Sequence, residues 1–591
     1  MSTGEIAQIK SIIQDHSYQA TNLLPILQQV QDNYSHISES AIDCIANELK
    51  MPRAQVAGVA GFYSFYHAQP RGQYHILFSD NIIEHHAGKQ KLMTAFMQKL
   101  GVHLGQCRTD GRVTVENTSC IGMSDQAPAL LVNGYTIPRL TEAKCDQIIE
   151  LIEKQIPVNE WAADLFQVSD NIQRTDLLLG DAFENGSAIR FSLEHGADAA
   201  LAAIDDAGLR GCGGAGFKTA TKWKFCRQAA ADQRFVVCNA DEGEPGTFKD
   251  RVLLQSYANL VFEGMTLCAH VIGAEQGFLY LRGEYRYLIK SLEEILTQRR
   301  QQGLLGKHIL GHSNFNFDIQ IYLGAGAYVC GAELALIESL EGKRGNPRNR
   351  PPFPVTHGYL NKPTIVNNVE TFALAAKIPS YGAKKFAAIG TAESKGTKLL
   401  SISGDCEKAG IYEIQFGITI REILALCGAK ETKAVQISGP AGRCVAESEF
   451  DRRICFEDIA CGGSFMIFNQ QRDLFEIVRN FADFFIHESC GFCTPCRVGT
   501  SILKQVLGKI HDGHGTADDL QVITQLDHLL KTTSHCGLGQ TASNHLTDTM
   551  KKFPEIYHQR LKMDARLEPS FDLDGALEAA RQITGRQDHL T

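Results

Sequence analysis

Cys490, Cys493 and Cys496 form a C-x2-C-x2-C run, and Cys536 follows from a separate segment. Three thiolates this close can wrap three corners of a compact site, and a fourth from elsewhere closes it. Cys₄ ligation of a [4Fe–4S] cube needs this arrangement. A structural zinc site is the alternative, although its common spacing is two separated C-x2-C pairs. Pro495 sits inside the run to bend the chain. The run follows an apolar helical stripe of Leu474, Ile477, Val478, Phe481 and Phe485. The region 472–560 is therefore expected to be helical and to carry a metal cluster.

The rest of the composition narrows the class. A chain of 591 residues suggests roughly four domains. With 44% hydrophobic and 21% charged residues it is ordinary packed protein, which excludes disorder, collagen and coiled coil for most of its length. A net charge of −9 argues against broad nucleic-acid binding. No long apolar stretch lacks charge, so no membrane span is expected. The start, MSTGEIAQIK, has no apolar signal region. A cytoplasmic protein is expected, and its 18 cysteines should be thiols rather than disulfides. Cys44, Cys145, Cys268 and Cys427 sit in apolar patterns and are expected in the core. Cys406, Cys444, Cys455 and Cys461 lack ligand spacing.

Hydrophobic periodicity divides the chain into an α/β multidomain protein. Residues 1–72 read as a helical bundle, with Ile6, Ile9, Ile12 and Ile13, then Leu23, Leu24, Ile26, Leu27 and Val30, then Ile42, Ile45 and Leu49. Ser38 and Ser40 are possible caps of the third helix. Residues 73–157 form a small α/β domain in which Asn133-Gly134 marks a tight hairpin. A polar connector covers 158–185, and a large α/β domain 186–390. A β-rich segment occupies 396–470, and 561–591 is a tail.

Three loops in the large domain carry candidate ligand-binding residues. Gly211, Gly213 and Gly216 match G-x-G-x-x-G, with Gly214 between them. A helical pattern, Ala199 to Ala207, precedes the loop instead of a strand, so the usual dinucleotide fingerprint is not met. The glycines still allow backbone amides to approach an anion or a flat ring. Phe217, Lys222, Trp223 and Phe225 then offer aromatic faces and a cation. The second loop, Asn239-Ala240-Asp241-Glu242-Gly243-Glu244, follows the strand-like Phe235–Cys238. The third, Gly324 to Glu333, contains Tyr328 and Gly331 and also follows a strand; Phe353 and the pair Asn367-Asn368 come later. Alone, each loop could be a structural glycine turn or a solvated acidic turn. Together they suit the carboxyl ends of strands, where open α/β sheets bind ligands.

The segments GLRGCGGAGFKTATKW, CNADEGEPGTFKDR, GAGAYVCGAE, KPTIVNNVET and ESCGFCTPCR with HCGLG resemble the NADH-binding flavoprotein of respiratory complex I. The fit extends over nearly the whole chain for its relatives, the fused diaphorase subunits of cytosolic NAD-reducing [NiFe]-hydrogenases, and includes the ending PSFDLDGALEAA. The resemblance implies FMN on the first glycine loop, held at Gly211, Gly213, Gly214, Lys222, Asn239, Asp241, Glu242, Gly331, Asn367 and Asn368. It implies NAD(H) stacked over the flavin, contacted by Phe217, Lys222, Phe225, Glu244, Tyr328, Glu333 and Phe353, with Gly216 in the same loop. It assigns one [4Fe–4S] cluster to Cys490, Cys493, Cys496 and Cys536, and a ubiquitin-like β-grasp domain to 396–470. Hydride passes between NAD(H) and FMN and single electrons between FMN and the cluster, with no acid–base or nucleophilic residue beyond the positioning by Glu333, Lys222 and Tyr328. The partners implied are an iron–sulfur electron-transfer subunit and NiFe-hydrogenase subunits in a hetero-oligomer. The chain has no cysteine set for a NiFe centre, so hydrogen is activated on another chain. The same module in a formate dehydrogenase or complex I, or a zinc-bearing scaffold without redox role, are the alternatives.

Two departures lie in the flavin site: Cys212 stands where the family usually has Arg, and Ala332 where it has an acid. These should shift nucleotide affinity or flavin potential. A third lies in 73–157, which resembles a thioredoxin-like [2Fe–2S] domain. Ser79, Glu84 and Ser124 occupy three of its four ligand positions and only Cys120 remains, so no [2Fe–2S] cluster is expected there. His85 and His86 read as a solvated pair.

Overall fold

The structure is a computed structural model that describes residues 3–562 and 573–585. Of the expected tail 561–591, residues 563–572 and 586–591 lie outside the described residues.

Four helices open the chain: Thr3–Asp15, Leu23–Tyr34, Glu39–Leu49 and Arg53–Ala60. Their apolar stripes face one another, and Ile9, Ile13, Leu24, Leu27, Val30 and Ile45 are fully buried. Ser38 caps the third helix by accepting the Ala41 N–H at 3.2 Å. After the fourth helix an aromatic strap, 62–66, crosses to the large domain, where the Ser64 and Phe65 amides donate to the carbonyls of Gly326 and Ala325.

A four-stranded sheet follows, in the order Val113–Ser119, Tyr74–Asp80, Leu130–Val132, Tyr135–Ile137. The first pair is parallel and the others antiparallel. Asn133 (φ 49°) and Gly134 (φ 83°) both take left-handed backbone, which a two-residue type I′ hairpin requires. His85 pairs with Asp80 at 2.5 Å, while His86 packs edge-on to Phe468. They are therefore not a solvated pair, because the second ring is covered by a neighbouring sheet.

Residues 158–185 are not a polar connector. Trp161, Leu165, Leu177, Leu178 and Leu179 are buried, and Ile172–Arg174 is a strand paired parallel to Gly410–Gln415. The polar residues of this stretch face outward and hid an apolar face too short to show a period.

The large domain contains four parallel strands in the order Asp318–Leu323, Gln276–Leu281, Phe235–Ala240, Thr364–Asn368. Chain order reverses beside Phe235–Ala240, which makes its carboxyl end the natural crevice of the sheet. Helices Ala258–Ile272 and Val369–Tyr381 pack tightly under it. Gly264 permits that approach: a Cβ there would lie 1.9 Å from the Phe372 carbonyl oxygen. A six-stranded mixed sheet comes next, ordered Arg443–Ala446, Thr432–Ile437, Ser464–Asn469, Thr397–Gly404, Gly410–Gln415, Ile172–Arg174. Helices Leu474–Glu488, Thr494–His511, Ala517–Thr533 and Asn544–Lys552 complete the body. Pro495 lies in the first turn of its helix, where a missing N–H costs nothing. Among the described residues no helix is long and apolar enough to cross a membrane.

Candidate functional site

The three loops and the Asn367-Asn368 pair meet at the carboxyl edge of the parallel sheet. The first glycine loop is led by the helix Ala197–Asp206, as its sequence implied, and runs into the helix Thr219–Gln228. That second helix sends Lys222 across to Glu333, with Nζ to Oε2 at 2.7 Å, and to the Val366 carbonyl at 2.7 Å. Trp223 is buried and donates to Asn367 Oδ1 at 3.0 Å. Asn239 donates to the Gly331 carbonyl at 2.8 Å, tying the second loop to the third. Asn368 donates to Asp250 Oδ2 at 2.6 Å and accepts from Lys249 Nζ at 3.0 Å. Burial opposes the charge on Lys249, but Asp250, Glu370 and Glu242 around it hold its ammonium above the ordinary value.

The acids of the second loop have three different environments. Asp241 is buried, its Oδ2 has no hydrogen-bond partner, and burial pushes its carboxyl well above the usual range. That oxygen lies 3.4 Å from where a Cβ would stand on Gly243 or Gly331. Glu242 turns away from the crevice: it accepts the amides of Asp250 (2.7 Å) and Arg251 (3.0 Å) and the Tyr285 hydroxyl (2.7 Å). Glu244 accepts the Tyr328 hydroxyl and the Ala441 amide, the latter at 3.0 Å, and burial raises it to about 7.

Phe217, Phe225 and Phe353 are each about half exposed (54%, 48% and 51%), so their ring faces are open to a flat partner. Gly214 has φ 125° and nothing within 4 Å of a built Cβ, and Gly213 meets only the Asn368 side chain, at 3.3 Å. The donor set therefore fits a flavin. It combines an open glycine cradle, amide side chains at the strand ends, and a buried carboxyl oxygen of Asp241 without a hydrogen-bond partner. Cys212 is turned inward, its Sγ 3.5 Å from the Arg210 carbonyl, and burial raises its thiol to about 12. It contributes neither charge nor an exposed group to the loop. Ala332 is exposed at the start of the helix Glu333–Leu340.

One wall of the crevice has no counterpart among the motifs. The mixed sheet of 397–469 lays its loops on the first two glycine loops. Phe456 lies against Gly216, where a Cβ would come within 2.4 Å of its ring. Gly462 faces Gly214, Gly439 faces Glu244, and Ser464 Oγ donates to the Pro245 carbonyl at 3.0 Å. Asn544, from the C-terminal helices, donates to the Ala441 carbonyl at 2.9 Å and so fixes the turn whose amide reaches Glu244. The glycines of Ser438-Gly439-Pro440-Ala441-Gly442 and Gly462-Gly463 are the signal that could have pointed there.

Cys490, Cys493, Cys496 and Cys536 line one small cavity with Pro347, Phe492 and His535. Cys493 precedes the helix Thr494–His511 and Cys536 precedes Gly537–Thr541, so both cysteine segments are held at helix entrances. Among the described residues no group of three or more His, Cys, Asp or Glu is drawn in closely enough to share a single metal ion. A [4Fe–4S] cube would instead take one thiolate at each iron. Tyr328 links the two ends of the site: its ring packs on Phe484 at 5.0 Å, and its amide donates at 2.9 Å to Glu488, just before Cys490.

In the small sheet domain Ser79, Glu84, Cys120 and Ser124 are all buried. Cys120 Sγ lies 3.8 Å from Ser124 Oγ, Ser79 Oγ accepts the Ile121 amide at 3.3 Å, and Glu84 accepts the Ala129 amide at 3.0 Å.

Residues 204–377 match the family described as the Nuo51 FMN-binding domain, and 476–560 the NADH-ubiquinone oxidoreductase-F iron-sulfur binding region. Residues 9–153 match the thioredoxin-like [2Fe-2S] ferredoxin family. That match overturns the expectation of a domain without a [2Fe–2S] cluster, because the family it identifies is defined by one. The match extends over 9–153 and so rests on the whole domain and not on four thiol positions.

The NAD-reducing hydrogenase HoxS subunit alpha of Cupriavidus necator is 43% identical over 97% of both chains. An NADH-quinone oxidoreductase subunit of Aquifex aeolicus is 41% identical over 62% of this chain and 86% of its own. A chain in the crystal structure of NAD⁺-reducing [NiFe]-hydrogenase in the H₂-reduced state superposes with a TM-score of 0.90, at 42% identity and 97% coverage of both. The chain belongs to the family of the HoxS alpha subunit of NAD-reducing hydrogenase.

Proposed function

We propose that this chain is a diaphorase subunit that exchanges a hydride between NAD(H) and FMN and single electrons between FMN and a [4Fe–4S] cluster. It couples NAD⁺ reduction to hydrogen oxidation on partner subunits. As a member of its family it is an oxidoreductase subunit that works in a hetero-oligomer with iron–sulfur and NiFe-hydrogenase subunits. When bound, FMN supplies the conversion between two-electron and one-electron transfer that a nicotinamide and a cluster cannot make directly.

The chain's own residues bind and orient. Gly213, Gly214 and Gly216 bring backbone amides to the flavin, Gly211 closes the loop beneath it through its own amide on the Phe217 carbonyl, and Asn239, Asp241, Asn367 and Asn368 take its polar groups. Phe217, Phe225 and Phe353 wall the nicotinamide nucleotide and exclude water. Glu333, held by Lys222, and Glu244, held by Tyr328, orient its amide and ribose. A carboxylate at Glu244 would also repel a 2′-phosphate, which favours NAD over NADP. Cys490, Cys493, Cys496 and Cys536 hold the cluster. The sheet of 397–469 is, in this reading, a ubiquitin-like β-grasp domain that closes the flavin crevice, and 1–72 is a bundle bracing the third loop. None of the eighteen cysteines is paired in a disulfide, which agrees with a cytoplasmic location.

The observation that carries this reading is the convergence of Lys222–Glu333, Asn239–Gly331 and the unpartnered Asp241 oxygen at one sheet edge. The test is NADH-dependent reduction of an artificial electron acceptor by the native complex, with its flavin and metals counted. Activity with bound FMN and iron is expected. A flavin-free complex, or zinc in place of the iron at Cys490–Cys536, would contradict it.

A further inference from the structure

The flavin loop is held from behind by the thioredoxin-like domain. Arg282 follows the strand Gln276–Leu281 at the same sheet edge and is buried. Its Nη1 donates to the Glu242 carbonyl at 2.7 Å, and its Nη2 to the Cys120 carbonyl at 2.7 Å. Glu284 neutralises it through Nε at 3.1 Å and Nη2 at 2.7 Å. One guanidinium thus joins a backbone carbonyl of the flavin loop to one in the 120–125 loop of another domain. Two further contacts repeat the link. Tyr285 donates to Glu242 Oε2 at 2.7 Å, and Gly122 lies so close that a Cβ would stand 2.2 Å from the tyrosine oxygen. Arg251 gives its amide to Glu242, and its side chain to the Gly122 carbonyl at 3.1 Å and to both oxygens of Asp125. All three converge on Glu242, whose φ of 26° a non-glycine residue keeps only where its surroundings enforce it.

We propose that Arg282 is a positioning residue for the flavin. By locking the Glu242 carbonyl to that of Cys120, it makes the 120–125 loop fix the backbone on which Asp241 stands. The planar fork matters, because lysine is a point charge that cannot satisfy Glu284 and both carbonyls at once. The inference rests on the flavin reading above and adds a second domain to that site.

The experiment compares Arg282→Lys, Gly122→Ala and a control, Gly101→Ala, in the native complex. Gly101 also has positive φ (65°) and lies in the same domain, but its Cβ would meet nothing within 4 Å. The readouts are the FMN dissociation constant, from the fluorescence of released flavin, and the flavin reduction potential. Arg282→Lys and Gly122→Ala are expected to weaken FMN binding at least about tenfold and to move the potential, with the control unchanged. Parental affinity and potential in both variants would overturn the proposal, as would an equal effect of the control. Should Arg282→Lys not assemble, Gly122→Ala, which leaves both arginines in place, decides. A parental complex that holds no flavin would instead end the flavin reading itself.

Discussion

Three of the cysteines proposed to hold the cluster come from one short run and the fourth from the entrance of a later helix. The residues at the nucleotide end come from widely separated strand ends, and one wall is supplied by the loops of a different sheet, with Ala441 on Glu244 and Phe456 on Gly216. The first site is written in local spacing, the second in packing between domains. Substitutions at the two ends should therefore fail differently. A cluster variant should lose electron transfer to the partner subunits in one step, whereas the nucleotide end should lose affinity by increments as each support is removed.

The largest effect is expected at Cys496. Its replacement by Ser should remove the [4Fe–4S] irons and stop electron transfer to the partner subunits. NADH reduction of a dye that reads the flavin directly should survive, and parallel iron analysis and dye assays test this. Full loss of both would mean that the two ends do not fold independently.

At the nucleotide end the largest single loss should come from Lys222→Met. The change leaves Glu333 without its partner and uncaps the Val366 carbonyl. A fall in kcat/KM for NADH of about a hundredfold is expected, the usual range for a positioned charge in a desolvated site. Steady-state kinetics with a saturating dye measures it, and a change below about threefold would place Lys222 outside the site.

Glu244 gives a pH signature. Burial raises its carboxyl from 4.5 to about 7 in the folded protein, so the folded state holds the proton more tightly than the unfolded state. Stability contributed by the protonated form is present below the unfolded value. It is lost as pH rises toward and through about 7. Part of this slope, up to about 2 kcal/mol once partial solvent access is allowed for, should vanish in Glu244→Gln. Denaturant melts between pH 5 and 8 compare the two, and identical slopes would contradict the assignment.

The smallest effect is expected at Asn544. Asn544→Ala removes a single hydrogen bond to the Ala441 carbonyl, so NADH affinity should fall only about two- to fivefold, roughly 1 kcal/mol. A larger loss would mean that the turn at Ala441 depends on this clamp more heavily than one bond implies.

The same distinction explains what was legible in the sequence. The cysteine run, the Ser38 cap and the Asn133-Gly134 hairpin are set by nearest neighbours, and each could be read directly. So could the placement of the second and third loops at strand ends, because strand and loop are adjacent in the chain. The strand Ile172–Arg174 could not, since its partner Gly410–Gln415 lies far along the chain and a three-residue strand has no period. Nor could the inward turn of Glu242, which depends on Tyr285 and on the start of the helix Lys249–Ser256. The 438–442 and 456–463 wall is likewise a docking contact, visible in sequence only as glycines with no stated purpose. In the thioredoxin-like domain the difficulty was the opposite. Ser79, Glu84 and Ser124 speak against a cluster one position at a time, whereas the domain as a whole matches the [2Fe-2S] ferredoxin family.

The most direct test is an anaerobic NADH titration of the native complex, followed by flavin absorbance and by electron paramagnetic resonance, in parent and Cys496→Ser. The account predicts that NADH bleaches one FMN per chain and that a reduced cluster signal appears in the parent but not in the variant. Bleaching in the parent with no cluster signal lost on Cys496→Ser, or no flavin to bleach, would contradict it.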